Sequence, residues 1–431
     1  MQALGQCRAR NTSWRRAAMT RPGAFPSILS VRLYEREIGT LTHLGGDRIL
    51  FAFTENYIGD ENRPTLSLGF KDAFGGVFSD FAPTQTRALP FFSNLLPEGH
   101  MRTYLAERAR VNPVREFPLL KALGMDLPGA VTIVPAGGEL FDGDDAYEEG
   151  RGRPGNGPLR FSLAGVQLKF SALLEARGGL TIPAAGQGGN WIIKLPSREF
   201  EDVPQNEFSM MSLAAMVGID VPPVRLVDIG DIEDLPEGIG IGADFFRRKA
   251  FAIERFDRAA DGSRVHIEDF AQVFGLYPED KYKNASLRRI AQIIGIEAGN
   301  ADVAEFIRRL TFNVLIGNAD MHVKNWSLIY RDQKTASLAP AYDFVSTIAY
   351  IRDENFALKF SRTSRFDAFG ADELAHLAAK AELPEKLVLD AAKETAARFR
   401  EVWTKESAHL PLSQRVKGGI NAHLAVLPPM A

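Results

Sequence analysis

The sequence predicts an α+β protein with two lobes, a β-rich first half and a mostly helical second half. Short runs of β-branched and aromatic residues, separated by glycine-containing turns, recur in residues 28–265. After residue 266 the apolar residues repeat instead at the three-to-four spacing of helices. The chain has 431 residues, and single cores stop growing at roughly 250–300 residues, so we expect more than one packed unit.

The first unit is predicted to be a small α+β subdomain, residues 28–137. Residues 30–55 supply two or three strands, with a hairpin turn at Gly45-Gly46-Asp47. Two helical segments and a last strand follow, from about Pro97, over 117–125 and over 129–137.

Two segments lie outside this pattern. Residues 1–27 hold five arginines and no acidic residue, which predicts a disordered tail or an upstream start codon, with a transit peptide as the alternative. Residues 138–158 are rich in glycine, proline and acids and lack periodicity, so we expect a flexible linker.

The remaining chain divides at about residue 265. Residues 159–265 run strand, strand, helix, strand, strand, with the helix from about Gln205 to Val217 and the last strand at 251–258. Residues 266–431 are predicted to be helical except for one hairpin that follows the 316–330 stretch. The helical segments are 267–275, 285–294, 302–315, 371–381, 385–405 and 412–425.

Composition excludes several functional classes. The chain is 45% hydrophobic and 24% charged with a net charge of -3, so no bulk positive field draws it to nucleic acid or to an anionic membrane. No apolar run approaches the ~18–20 residues that span a bilayer. A single cysteine, Cys7, rules out an internal disulfide framework and fits a reducing cytoplasm.

The stretch IGNADMHVKNWSLIY, residues 316–330, places polar groups between two apolar segments. Asp320 and Asn325 are five residues apart, the spacing of the kinase catalytic loop, in which the Asp orients the attacking hydroxyl and the Asn holds Mg²⁺. The predicted hairpin returns the chain to Asp343, a second hard oxygen ligand for Mg²⁺. The alternative is a polar loop that caps a helix and pairs internally.

Two further residues of this stretch are candidates. Lys324 lies between Asp320 and Asn325 and could contact the transferring phosphate. His322 could touch the nucleotide or pack under the loop. For either residue alone a structural role is an equal alternative.

The β-rich half carries complementary groups. Lys194 lies in the apolar strand WIIKLP and needs a partner if it is buried, either nucleotide phosphates or a carboxylate. Glu207, at the start of the next helix, is a candidate carboxylate. The alternatives are a lysine that extends to solvent from an edge strand and an ordinary first-turn acid.

A glycine turn and a connecting strand complete the candidates. Gly165, with Gln167 and Lys169 after it, could cradle phosphates through backbone N–H groups, although a plain hairpin is the alternative. Glu254 and Phe256 would flank an adenine held by the strand that links the lobes; an ordinary sheet strand is the alternative.

With these residues the chain resembles the HipA-type serine/threonine kinases, the toxins of bacterial HipBA toxin–antitoxin modules. The resemblance runs from about residue 31 to about 425 and implies a bilobal, protein-kinase-like fold with a small N-terminal subdomain. Its motifs are GTLT (39–42), FFSNLLPEG (91–99), GAVTIVP (129–135), SLAGVQLK (162–169), WIIKLP (191–196), IERFDR (253–258), LIGNADMHVKNWS (315–327) and YDF (342–344).

The resemblance implies a role for each candidate. Asp320 matches the catalytic Asp, Asn325 and Asp343 match the Mg²⁺ ligands, and Lys194 matches the lysine on the ATP phosphates. Glu254 and Phe256 match the hinge that holds adenine, and His322 and Tyr342 match residues that line the nucleotide site. Ser162 matches the serine of a mobile loop that is autophosphorylated. The sequence VQLKF departs from the usual family pattern in that loop.

The resemblance also implies partners. Family members phosphorylate aminoacyl-tRNA synthetases, which arrests growth, and a helix-turn-helix antitoxin binds the toxin and connects it to operator DNA. Two alternatives remain open: an interaction protein without catalysis in such a repressor complex, and a kinase for small molecules or lipids.

Overall fold

The structure is a computed structural model. It describes residues 27–72, 74–137, 169–174, 180–182, 189–197, 199–235 and 243–428. The expectations for residues 1–26, for the 138–158 linker and for Ser162, Gly165 and Gln167 lie outside these residues.

The N-terminal subdomain, residues 28–137, is built on an antiparallel sheet of order β4-β3-β2-β1-β5. Gly46 and Asp47 both have positive φ, 74° and 58°, which forms the tight turn between β2 and β3. Four helices cover the sheet and close a core of its own, which includes Val31 and Phe92. The strands are β1 Ile28–Leu33, β2 Arg36–Leu44, β3 Arg48–Phe53, β4 Thr84–Gln85 and β5 Val131–Pro135, and the helices are α1 Glu55–Ile58, α2 Pro90–Ser93, α3 Gly99–Ala109 and α4 Glu116–Leu123.

A second sheet forms the β-rich lobe, with order β10-β7-β6-β8-β11-β9. Strand β11, between β8 and the edge strand β9, ends at Glu254, four residues earlier than the sequence predicts, because Arg255 and Asp257 form buried ion pairs. The elements are β6 Lys169–Leu174, β7 Leu180–Thr181, β8 Trp191–Lys194, α5 Val203–Val217, β9 Val224–Asp228, β10 Ile232–Glu233, α6 Ala243–Phe246 and β11 Lys249–Glu254.

The C-terminal lobe is mostly helical and carries a three-stranded sheet of order β12-β13-β14. The elements are β12 His266–Asp269, α7 Phe270–Val273, α8 Leu287–Glu297, α9 Asn300–Leu315, β13 Ser327–Tyr330, β14 Ser337–Leu338, α10 Ala371–Lys380, α11 Glu385–Glu406 and α12 Gln414–Leu424.

The helix predicted over 267–275 is shorter in the structure, where only Phe270–Val273 is helical and the residues before it form a strand. Residues His266–Asp269 pair antiparallel with Ser327–Tyr330, so the hairpin gains a third strand. Asp269 then caps the short α7, accepting from the backbone N–H of Gln272. Pairing with a distant strand overrides a local helical pattern because it satisfies the same backbone groups.

One core joins the two lobes. Phe312 of α9 packs against Phe399 of α11, with ring centroids 5.7 Å apart. Met210 and Met211 of α5 belong to the same buried cluster. The helix of the β-rich lobe is therefore fixed on the helical lobe, and the strands that it supports face the loop between α9 and β13.

A second contact, the brace cluster of Asp126, Arg255, Asp257 and Arg258, joins the N-terminal subdomain to the strand between the lobes. Asp126 Oδ1 lies 3.1 Å from an Arg258 guanidinium nitrogen and 3.4 Å from one of Arg255. Asp257 accepts from both arginines and from the backbone N–H of Gly129 at 2.8–2.9 Å. Burial opposes ionisation of Asp257, but the arginines hold its pKa below the usual value.

Among the helices that the structure describes, none is long and apolar enough to cross a membrane.

Candidate active site

A cleft of about 1900 Å³ lies where the three units meet. All candidate side chains within the described residues line this cleft: Lys169, Lys194, Glu207, Glu254, Phe256, Asp320, His322, Lys324, Asn325, Tyr342 and Asp343. Residues more than 170 positions apart in the chain therefore share one cavity.

The loop after α9 owes its shape to Gly317 and Asn318. Gly317 has a φ of +65°, and a Cβ there would lie 2.6 Å from Ile348 Cγ2, so glycine is required. The Asn318 amide donates to Asn313 Oδ1 at 2.8 Å and to the backbone oxygen of Asp343 at 3.3 Å. Asn318 thus ties the Asp320 loop to the Asp343 segment, a role that sequence reasoning missed.

Asp320 and Asn325 occupy the two ends of a single turn. The Asn325 amide nitrogen donates to the backbone oxygen of Asp320 at 3.1 Å. The Tyr282 hydroxyl donates to Asp320 Oδ1 at 2.5 Å. Desolvation in the cleft raises the pKa of Asp320 above its ordinary value, against the opposing effect of the Tyr282 hydrogen bond.

Lys194 joins the two lobes electrostatically. Its ammonium contacts Glu207 Oε1 on α5 and Asp343 Oδ1 from the C-terminal lobe. Only 5% of Lys194 is exposed, so burial opposes its charge, yet the two carboxylates keep its pKa above the ordinary value. The buried strand lysine therefore has the carboxylate partner that such a position needs.

Asp343 stands between two lysines. Its Oδ2 lies 3.8 Å from Lys169 Nζ, on the side opposite the Lys194 contact. Burial favours the neutral acid, but Lys169 and Lys194 hold the pKa of Asp343 far below its ordinary value. Its φ of 61° is in the left-handed region, which is uncommon outside glycine and is tolerated best by Asn and Asp.

Tyr342 and Phe256 form one wall of the cleft. Their ring centroids are 5.7 Å apart. The Tyr342 hydroxyl donates to the Lys324 backbone oxygen at 2.8 Å and bonds Ser327 Oγ at 2.5 Å. The backbone N–H groups of Glu254 and Arg255 are used within the fold, by Pro223 and Asn190.

His322 presents an unsatisfied atom to the cleft. The residue is 7% exposed, and its buried Nδ1 has no hydrogen-bond partner in the part of the chain that the structure describes. Burial lowers the pKa of His322 to about 3, so the ring is neutral. The Tyr282 ring packs edge-on against it with centroids 5.1 Å apart.

Lys324 is paired with the N-terminal subdomain. Glu98 Oε1 lies 2.6 Å from Lys324 Nζ, and Glu98 Oε2 lies 3.2 Å from Lys281 Nζ. Sequence reasoning missed Glu98, Lys281 and Tyr282 as site residues, although Glu98 lies in the motif FFSNLLPEG.

These groups fit a magnesium-bound nucleotide. Asp343 is an ionised carboxylate, and Asn325 uses its amide nitrogen within the loop, which leaves its oxygen as a hard ligand. The described residues hold no group of three or more His, Cys, Asp or Glu suited to a metal. Mg²⁺ is usually bound by one or two carboxylates and completed by phosphates, and Asp343 with the Asn325 oxygen would supply the protein part of such a set.

Comparison with known proteins identifies the family. Residues 161–403 match the HipA-like C-terminal domain and residues 29–134 match the HipA N-terminal domain. A Sinorhizobium fredii protein named "Putative kinase Y4dM" is 55% identical over 400 residues, which are 92% of this chain and 96% of that protein. The serine/threonine-protein kinase toxin HipA of Shewanella oneidensis is 26% identical over 380 residues, 80% of this chain and 83% of the toxin.

A solved structure gives the same fold. The Shewanella oneidensis complex of HipA, HipB and operator DNA matches with a TM-score of 0.69 and 24% identity, covering 92% of this chain and 96% of that one. The predicted α+β, bilobal HipA fold is thereby confirmed. With both domain models matched in order, this chain belongs to the HipA family of kinase toxins.

Proposed function

We propose that this protein is an ATP- and Mg²⁺-dependent serine/threonine protein kinase that acts as a toxin. The observation that carries the proposal is the contact of Lys194 with Glu207 and Asp343, in the same cleft as Asp320 and Asn325. Kinases need a strand lysine paired with a helix carboxylate, together with metal-binding and hydroxyl-orienting groups across one cleft.

Each side chain has a separate task in this proposal. Asp320 orients the acceptor hydroxyl and takes its proton on the carboxylate, which must be ionised to do so. Lys194 and Lys169 place positive charge beside the nucleotide phosphates, and Asn325 and Asp343 hold Mg²⁺. Bound Mg·ATP supplies the phosphoryl group and the charge compensation for its transfer.

Nucleotide contacts come from the opposite wall. Phe256 and Tyr342 supply aromatic surface for adenine, and the unpartnered His322 Nδ1 can accept a hydrogen bond from the ligand. Within the described residues no hydrogen bond engages the backbone N–H of Phe256, which makes it the candidate donor at the hinge beside Glu254. Gly165 and Gln167 are proposed phosphate contacts.

The cleft volume favours a protein acceptor. Sites for single small ligands are usually about 300–1,000 Å³. A cleft of about 1900 Å³ leaves room for a nucleotide and for a segment of polypeptide. We therefore place a protein substrate ahead of a small-molecule one.

The biological setting is proposed from the family. The substrate is a translation component, an aminoacyl-tRNA synthetase, whose phosphorylation arrests growth in the cytoplasm. A helix-turn-helix antitoxin of the HipB type neutralises the toxin and brings it to operator DNA. The solved Shewanella oneidensis complex, which contains HipA, HipB and operator DNA, supports these partners. Phosphorylation of Ser162 switches the kinase off.

The test compares wild type with Asp320→Asn and with Asp367→Asn, an exposed aspartate outside the cleft. With ATP and magnesium, wild type and Asp367→Asn should each gain ~80 Da, one phosphoryl group, at Ser162, and Asp320→Asn should not. Phosphoproteomics of cells expressing the three proteins would then identify the substrate. A gain of ~80 Da in Asp320→Asn equal to that of wild type would refute the assignment of Asp320 as the catalytic Asp.

A further inference from the structure

The N-terminal subdomain reaches into the cleft through one carboxylate. Glu98 directly precedes α3, and its two oxygens contact different lysines of the C-terminal lobe. Oε1 lies 2.6 Å from Lys324 Nζ and Oε2 lies 3.2 Å from Lys281 Nζ. All three side chains line the cleft.

This bridge resolves an electrostatic conflict. Lys281 and Lys324 would otherwise face each other as like charges in a partly desolvated cavity, where repulsion over a few ångströms is substantial. Burial opposes ionisation of Glu98, but Lys324 and Lys281 hold its pKa below the ordinary value, so it is charged at neutral pH. The Lys324 side chain is 14% exposed, which leaves it little room to find another partner.

Lys324 occupies a sensitive position. It lies on the turn that begins after His322 and ends at Asn325, between the hydroxyl-orienting Asp320 and a magnesium ligand. A cation fixed in advance stabilises developing charge without the cost of reorganising at the moment of reaction. An ammonium held by Glu98 meets this requirement, whereas one repelled by Lys281 does not.

We propose that Glu98 is a positioning residue for phosphoryl transfer, which fixes Lys324 so that the N-terminal subdomain completes the catalytic cleft. The inference rests on the proposed kinase function. It extends that function by making residues 28–137 part of the reaction rather than an accessory unit.

The first test is a double-mutant cycle of wild type, Glu98→Gln, Lys324→Met and the double variant, with ADP release from Mg·ATP as the readout. Glu98→Gln should lower kcat about tenfold and leave the KM for ATP within about twofold, because Glu98 acts on the transferring group rather than on nucleotide binding. The double variant should be no slower than Lys324→Met alone. Losses that simply add would overturn the proposal.

Glu297→Gln is the matched control. Lys71 of the N-terminal subdomain pairs with Glu297 at 2.8 Å, which is the same kind of contact between the same two units but outside the cleft. Its kcat should equal that of wild type. A tenfold loss in this control as well would reduce Glu98 to a general docking role.

Amide hydrogen exchange of the nucleotide-free proteins separates this inference from the kinase proposal. Residues 318–327 should exchange faster in Glu98→Gln than in wild type and Glu297→Gln, while exchange in α9 stays the same and reports an intact fold. Unchanged exchange in this loop would overturn the positioning role. A wild type that neither releases ADP nor gains a phosphoryl group from Mg·ATP would refute the kinase function, and the exchange result would still decide whether Glu98 fixes the loop.

Discussion

The Tyr282 hydroxyl donates a hydrogen bond of 2.5 Å to Oδ1 of Asp320. The donor comes from the segment before α8 and the acceptor from the loop after α9, so the contact joins two separate parts of the C-terminal lobe. The pKa of Tyr282 is raised by burial and by Asp320, which keeps the phenol protonated as a donor. The carboxylate proposed to take the acceptor proton is thus stabilised in its charged form.

Removing this hydrogen bond should shift the pH dependence of activity. In Tyr282→Phe the desolvation that raises the pKa of Asp320 loses its main opposing contact, so the pKa rises further. Because Asp320 must be ionised, the acid limb of kcat/KM should move to higher pH. Tyr57→Phe, which removes a hydroxyl bonded to the Pro64 backbone, is the control and should keep the wild-type limb. An unmoved limb in Tyr282→Phe would contradict the role of Asp320 as base.

Lys194→Met should strongly destabilise the fold. It leaves Glu207, which is 1% exposed, without its cation, and breaking a buried pair costs about 3–5 kcal/mol. Urea unfolding would measure the change in the free energy of unfolding. Lys249→Met is the control, since its pair with Asp228 is about half exposed and should contribute less than about 1 kcal/mol. Equal losses in both variants would show that Lys194 and Glu207 do not form a buried ion pair in solution.

Asp343→Asn should separate metal binding from folding. Asn tolerates the left-handed backbone at this position and keeps the shape of the side chain, but it removes the charge that would hold Mg²⁺. Calorimetry should show that magnesium strengthens ATP binding to wild type and has little effect on the variant. Asp332→Asn, at an exposed turn, should behave as wild type. Full magnesium dependence in Asp343→Asn would exclude Asp343 as a ligand.

Glu268 should make stability depend on pH. It is fully buried, accepts from Ser67 and Leu68 of the N-terminal subdomain, and burial raises its pKa from 4.5 to about 7. The folded protein then keeps a proton that the unfolded chain releases, so this contribution is complete below pH 4.5 and is lost as the pH rises to about 7. The loss amounts to about 3 kcal/mol.

Glu268→Gln cannot ionise and should lack this decline. Urea unfolding at pH 5 and at pH 8 would give the free energy of unfolding of the variant and of wild type. The difference between the two proteins should change between the two pH values. Glu385→Gln, at an exposed helix start, should keep the wild-type dependence. A variant that loses stability toward pH 8 as steeply as wild type would assign the decline to other groups.

Sequence analysis could predict those parts of the site whose residues lie in one short segment or in neighbouring elements of the chain. A lysine in an apolar strand must have a partner when buried, and an acid one helix later can supply it, so Lys194 and Glu207 could be paired from the sequence alone. The hairpin likewise returns Asp343 toward Asp320 whatever surrounds it.

Contacts between the separately folded units leave no such local pattern in the sequence. Glu98 meets Lys324 only because the N-terminal subdomain packs on the C-terminal lobe, and no spacing in the sequence encodes that contact. The strand His266–Asp269 was not predicted for the same reason, since its partner Ser327–Tyr330 lies about sixty positions away in the sequence. Local periodicity could not report a pairing that only the assembled lobe creates.

The brace cluster has a consequence for how this chain can be divided. Asp126 belongs to the segment before residue 137, while both of its arginines lie after residue 250. If the two parts were separated, the two guanidinium groups and the aspartate would lose their ionic partners on a newly exposed surface. Fragments 1–150 and 151–431, produced together as separate polypeptides, should therefore re-form a complex and co-purify, and the larger fragment alone should be poorly soluble.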